Sequence, residues 1–128
     1  NPTMPELSSE HLRLPEQYRL MLEEIPCRCA PHAEIWAYGS RVTGYGHDAS
    51  DLDLVLRNPV KSSEEFPGLF ELKEALTESN LPIRVEVVDW ARIPTGFQRE
   101  IMKAYVVLQR AQTEKSDAAR LKELRHVE

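Results

Sequence analysis

Residues 33 to 57 hold the most restrictive pattern in this chain. An apolar and aromatic run, Ala33 to Tyr38, stops on Gly39, and a second run, Leu52 to Leu56, begins behind Asp51 and carries Asp53 within it. A short apolar run closed by glycine reads as a buried strand ending in a sharp turn. In the second run the leucines alternate with Asp51, Asp53, Val55 and Arg57. Strand periodicity therefore puts the leucines on one face and the acids on the other. Such a strand needs a sheet whose one face is covered and whose other face is free for chemistry.

The remaining segments supply the cover. Pro15 opens a helix in which Tyr18, Met21, Leu22 and Ile25 recur at helical spacing until Pro26 stops the run. Ser62 and Glu65 have capping-box spacing, and Phe66, Leu69, Phe70, Lys73 and Leu76 trace one side of a second helix. Ile83, Val85 and Val87 alternate with Arg84, Glu86 and Val88, which predicts a third strand. Thr95 and Gln98 repeat the capping signature ahead of a last helix striped by Phe97, Ile101, Tyr105 and Leu108. Strands alternating with helices indicate an α/β fold, a small sheet with helices packed on at least one face.

At 128 residues the chain is the size of one domain, placed at 15–110. Residues 1–14 read as an N-terminal extension and 111–128 as a charged tail, frayed or partner-binding, in which Leu121 and Leu124 make a narrow apolar stripe. Sixteen basic against 21 acidic residues give a net charge of −5, which argues against a broad nucleic-acid surface. No run approaches the roughly 18 apolar residues of a membrane helix, and no signal-peptide pattern opens the chain, so the cytoplasm is expected. Cys27 and Cys29 are too few to staple a secreted scaffold, and reduced thiols are expected. With His32 they fall short of the four ligands of a structural zinc site.

Three of the five glycines lie between positions 39 and 46. Gly39 lets the backbone turn and approach a ligand, Ser40 adds a hydroxyl and an N–H, and Arg41 adds a fixed positive charge. These are phosphate-binding parts, strengthened if residues 41–43 begin a short helix with free N–H groups. Asp51 and Asp53 project from one strand face with origins roughly 7 Å apart. Paired carboxylates suit Mg²⁺, which completes its shell with phosphate oxygens and water. In the third strand Glu86 lies on the polar side with Arg84, whereas Asp89 has the parity of the apolar residues; Glu86 is chosen as third acid and Asp89 held as the alternative. Three carboxylates around two metal ions fit in-line phosphoryl displacement. Each part also has an ordinary reading: a plain turn, a solvated acidic face, a surface ion pair. His47 and Tyr45 lie in the same glycine-rich loop, and Trp36, Tyr38 and Trp90 read as packing residues.

Gly39-Ser40 followed after ten residues by Asp51-Leu52-Asp53 resembles the signature of the DNA polymerase β-like nucleotidyltransferases, and Arg84-Val85-Glu86-Val87 looks like the strand carrying their third carboxylate. Over residues 15 to 109 the order of elements and the short length resemble the minimal nucleotidyltransferases, or MNT proteins. The resemblance implies a nucleotidyltransferase fold and transfer of AMP from ATP to an acceptor, with Mg²⁺ required and pyrophosphate released. It assigns Asp51, Asp53 and Glu86 to the metals and to catalysis, and Gly39, Ser40 and Arg41 to the nucleotide. It also implies a partner, a HEPN-domain ribonuclease toxin whose tyrosine is AMPylated, so that the chain acts as an antitoxin. Glutamate at 86 departs from the family's usual aspartate. Two other functions stay open at this point: a non-catalytic module that neutralises its partner by binding it, and a small-molecule nucleotidyltransferase formed by dimerisation. Homo- or hetero-oligomers are both open.

Overall fold

The computed structural model describes residues 6–44 and 51–110; His47, Tyr45 and the 111–128 tail lie outside the described residues. In chain order the elements are β1 (Glu6–Leu7), α1 (Glu16–Cys29), β2 (Glu34–Tyr38), α2 (Ser40–Thr43), β3 (Leu52–Arg57), α3 (Leu69–Glu78), β4 (Val85–Asp89), α4 (Thr95–Met102) and β5 (Tyr105–Gln109), with single 3-10 turns at Ser9–His11 and Trp90–Arg92. The strands form one mixed sheet in the order β1-β5-β2-β3-β4. β1 runs parallel to β5 and β3 parallel to β4, while β2 is antiparallel to both β3 and β5. The expected small mixed α/β sheet is what forms.

Its two faces differ. Leu52, Leu54 and Leu56 of β3, all fully buried, pack with Ile35, Ala37 and Val87 beneath Leu22 and Ile25 of α1 and Leu72 and Leu76 of α3. Burying each such side chain contributes roughly 1.5–3 kcal/mol, enough to fix which face of β3 turns inward. On the other face Trp36, Tyr38 and Val55 meet Trp90 and Ile101, the latter from α4. Residues directly opposite in an antiparallel pair share a face, so the registers Tyr38 with Asp53 and Trp36 with Val55 put Asp53 on this second, aromatic side. Among the described residues no helix is long and apolar enough to cross a membrane.

Several boundaries depart from expectation. Residues 103–109 are not the end of the last helix: α4 stops at Met102 and Tyr105–Gln109 is a strand inserted between β1 and β2. Tyr-Val-Val-Leu suits a pleated surface, and Tyr105 and Leu108, which continue the helical spacing in the sequence, follow the strand period instead. Helix α1 does not stop at Pro26 but carries that proline inside it to Cys29, with the Ala30 N–H closing on the Pro26 carbonyl. Neither capping box forms. Pro67 disfavours helical backbone at Phe66, and α3 begins only after Gly68. At α4 the N-cap is Pro94, while the Gln98 side chain instead donates to the Trp90 carbonyl at 2.8 Å.

Residues 6–12, placed ahead of the domain by the sequence reading, are structurally part of it. β1 adds to the sheet, Leu12 is 1% exposed in the main core, and the Arg13 N–H donates to the Arg41 carbonyl at 2.9 Å.

Candidate active site

β2 delivers Gly39 at its end, and the glycine's φ of +83° lies in the region that residues with a Cβ rarely adopt. A Cβ there would also stand 2.6 Å from Oδ2 of Asp53. Glycine is therefore required twice over, by the turn and by the carboxylate packed against it. The chain then enters α2, in which Val42 and Thr43 both donate to the Gly39 carbonyl, at 2.9 and 3.0 Å. The preceding amides, of Ser40 and Arg41, stay outside that helical ladder, as the first amides of any helical turn do.

Asp53 sits in register with Tyr38 on one side and Glu86 on the other. Its carboxyl is raised above the ordinary aspartate range, first by burial, then by the negative charges of Asp51 and Glu86. Asp51, just ahead of β3, is exposed. The Tyr38 phenol is pushed up to about 12 by burial and by the charges of Asp53 and Glu86, so it remains a neutral O–H at any physiological pH. The structure thus brings Gly39, Asp51, Asp53 and Glu86 to one end of neighbouring strands, on the face away from the leucines.

Two candidates are placed differently. Arg41 is 4% exposed and donates through Nη1 to the Arg13 carbonyl at 2.7 Å, and it does not line the cavity beside Asp53. Asp89, in register with Leu56 on the inner face, is 2% exposed. Its carboxylate accepts from the Ala91 N–H at 2.9 Å and the Phe66 N–H at 2.8 Å, capping one turn and anchoring the loop before α3. It works as a structural acceptor, which its apolar-side parity already indicated.

Glu86 is half-exposed and paired with Arg84, Oε2 to Nε at 2.5 Å. No group of three or more His, Cys, Asp and Glu side chains among the described residues is set to hold a metal ion. The donor chemistry nevertheless suits a hard divalent cation. Mg²⁺ binds through one or two carboxylates plus substrate oxygens and water, so Asp51 and Asp53 are the residues that would hold it, without a third protein ligand. A carboxylate whose proton affinity is raised by burial and by neighbouring negative charge, as that of Asp53 is, gains most from such a charge.

A cavity of about 490 Å³ opens beside Gly39 and Asp53, with Tyr38 and Thr43 in its wall and α4 on its far side. The α4 contribution was missed in the sequence, where the apolar stripe of that helix read only as core.

Residues 31–114 match the family described as polymerase beta, nucleotidyltransferase. The chain belongs to that family. It is 43% identical over 79 residues, 62% of its length and 68% of the relative's, to a protein of Haemophilus influenzae described as a probable protein adenylyltransferase, MntA, which places it with the minimal nucleotidyltransferases. The fold is shared with two solved structures at 18% identity. One is a toxin–antitoxin with AMP-PNP, with a TM-score of 0.57, 88% of this chain and 90% of that one being covered. The other is a toxin–antitoxin, MntA-HpeT, carrying two aspartate-to-glutamate substitutions two positions apart, with a TM-score of 0.56 and coverage of 89% and 90%.

Proposed function

We propose that this minimal nucleotidyltransferase is a Mg²⁺-dependent protein adenylyltransferase that acts as an antitoxin, moving AMP from ATP to a tyrosine of a HEPN ribonuclease toxin. The observation that carries the reading is the contact between the Gly39 turn and the Asp53 carboxylate, with Asp51 and Glu86 beside it. A phosphate-approaching turn and an acid cluster in contact are what phosphoryl transfer needs, since its catalysis is positioning plus charge stabilisation. The described relative and the AMP-PNP-bound neighbour support ATP as the donor and a toxin as the partner.

In this reading the Gly39–Ser40 turn holds the triphosphate, and Asp51 and Asp53 hold the metal, which would neutralise the phosphate oxygens and the departing pyrophosphate. Glu86 lies next to Asp53 in the adjoining strand and takes the proton of the acceptor hydroxyl. The acceptor oxygen forms its bond to the α-phosphorus as the bond to the β-phosphate oxygen breaks. Products are the AMP-ester of tyrosine and pyrophosphate.

The test is mass spectrometry of the toxin after incubation with this chain, ATP and Mg²⁺. The expected result is an added AMP that disappears with EDTA and in the Asp51→Asn/Asp53→Asn variant. The Arg84–Glu86 pair favours one competing reading, a module that neutralises its partner by covering it. Neutralisation that survives loss of both aspartates, with no mass added, selects that reading instead.

A further inference from the structure

The α4 side of the cavity beside Asp53 carries two exposed side chains, Phe97 and Lys103. Phe97, in the first turn of α4, is 39% exposed, unusual for a ring of its size. Its contact with Tyr38 is edge-to-face, with centroids 5.7 Å apart and planes at 78°, which fixes the ring while leaving aromatic surface uncovered. Lys103, at the C-cap of α4, also lines this cavity. Its side chain is 70% exposed, and its ion pair is with Glu100 one turn back at 2.8 Å. An exposed pair of that kind contributes little, so the ammonium is free to turn toward a more highly charged group.

The cation in the wall of this cavity comes from the end of α4 and not from Arg41. The Arg41 guanidinium is buried and donates to the Arg13 carbonyl, whereas Lys103 is exposed in the cavity wall. The cavity, at about 490 Å³, lies within the range of small-ligand sites. It joins, in one concavity, the Gly39 turn, the Asp53 carboxylate, a lysine and an exposed aromatic ring.

Resting on the nucleotidyltransferase reading, we propose that this cavity receives the nucleotide donor, with Phe97 stacked on its base and the Lys103 ammonium on its polyphosphate. Stacking of a base on an aromatic side chain and a charge-assisted contact to phosphate are each strong enough to be read singly.

The experiment is titration of the full chain with AMP-PNP and Mg²⁺, with inorganic tripolyphosphate as competitor, for the wild type and for Phe97→Ala, Phe97→Tyr, Lys103→Ala and Lys103→Arg. Phe97→Ala is expected to weaken AMP-PNP by about fivefold or more and to leave tripolyphosphate unchanged, with Phe97→Tyr restoring affinity. Lys103→Ala is expected to weaken both ligands by about tenfold, with Lys103→Arg keeping most of the binding. Both side chains are exposed enough for the variants to fold, which circular dichroism checks. Wild-type affinity for AMP-PNP in either alanine variant overturns the proposal, as does a Lys103→Ala variant that weakens AMP-PNP but not tripolyphosphate. If those variants bind normally while Asp53→Asn abolishes transfer, the proposal alone fails. A wild-type chain that does not bind AMP-PNP overturns the parent reading and this one together.

Discussion

Asp53 is held where folding works against its own charge. Burial and two neighbouring acids raise its carboxyl above the ordinary value of 3.8, so the folded protein binds that proton more tightly than the unfolded chain does. The sign follows: the penalty is absent below the ordinary carboxylate range and grows as pH rises through the raised value. Asp53→Asn is therefore expected to raise the thermal midpoint at pH 7 in EDTA by roughly 1–4 °C while abolishing transfer, and the gain should fade in acid. Thermal melts at the two pH values check it, and a lowered midpoint at pH 7 contradicts the arrangement. The two acids of β4 separate in the opposite sense. Asp89→Ala strands two backbone donors and should cost about 1–3 kcal/mol in chemical denaturation while the folded fraction keeps its activity. Glu86→Gln should leave stability nearly unchanged and lower the transfer rate by about a hundredfold or more if Glu86 is the base.

Among the elements, β5 departs most from its local sequence signal. The spacing of Phe97, Ile101, Tyr105 and Leu108 is helical, yet the backbone leaves the helix at Met102 and runs as a strand between β1 and β2. Short apolar runs are ambiguous between the two periods, and the decision falls to the partner strands, which local sequence does not contain. Hydrogen exchange gives the test. The amides of Val106 and Val107 should exchange as slowly as those of β3 and survive to near-global unfolding, as interior strands do. Exchange at the rate of a fraying helix end would contradict the topology. β3 and β4 were legible for the converse reason, because strict alternation with leucine or valine on one side fixes both period and face.

At the scale of the whole domain, residues 6–13 are built into the sheet and the core. Leu12 is 1% exposed, and the backbone of Arg13 both donates to the Arg41 carbonyl and accepts from its guanidinium. Leu12→Ala is expected to cost about 2–5 kcal/mol, as much as Leu54→Ala, whereas a residue in a loose appendage would change stability by less than about 0.5 kcal/mol. Urea unfolding of the two variants side by side decides between these outcomes. Nothing in the local pattern of residues 6–14 announces that role: a two-residue strand and one leucine carry no periodicity, and their burial follows from β5 lying open to receive them.

By itself the sequence determined the acid face of β3, the glycine turn before it and the opposite faces on which Glu86 and Asp89 lie, because strand parity is a local property that two or three residues suffice to reveal. Tertiary structure alone decided that Arg41 turns inward, that β5 is a strand and that α4 walls the cavity beside Asp53. Each of those depends on which distant backbone lies next to it, and local sequence patterning does not carry that information.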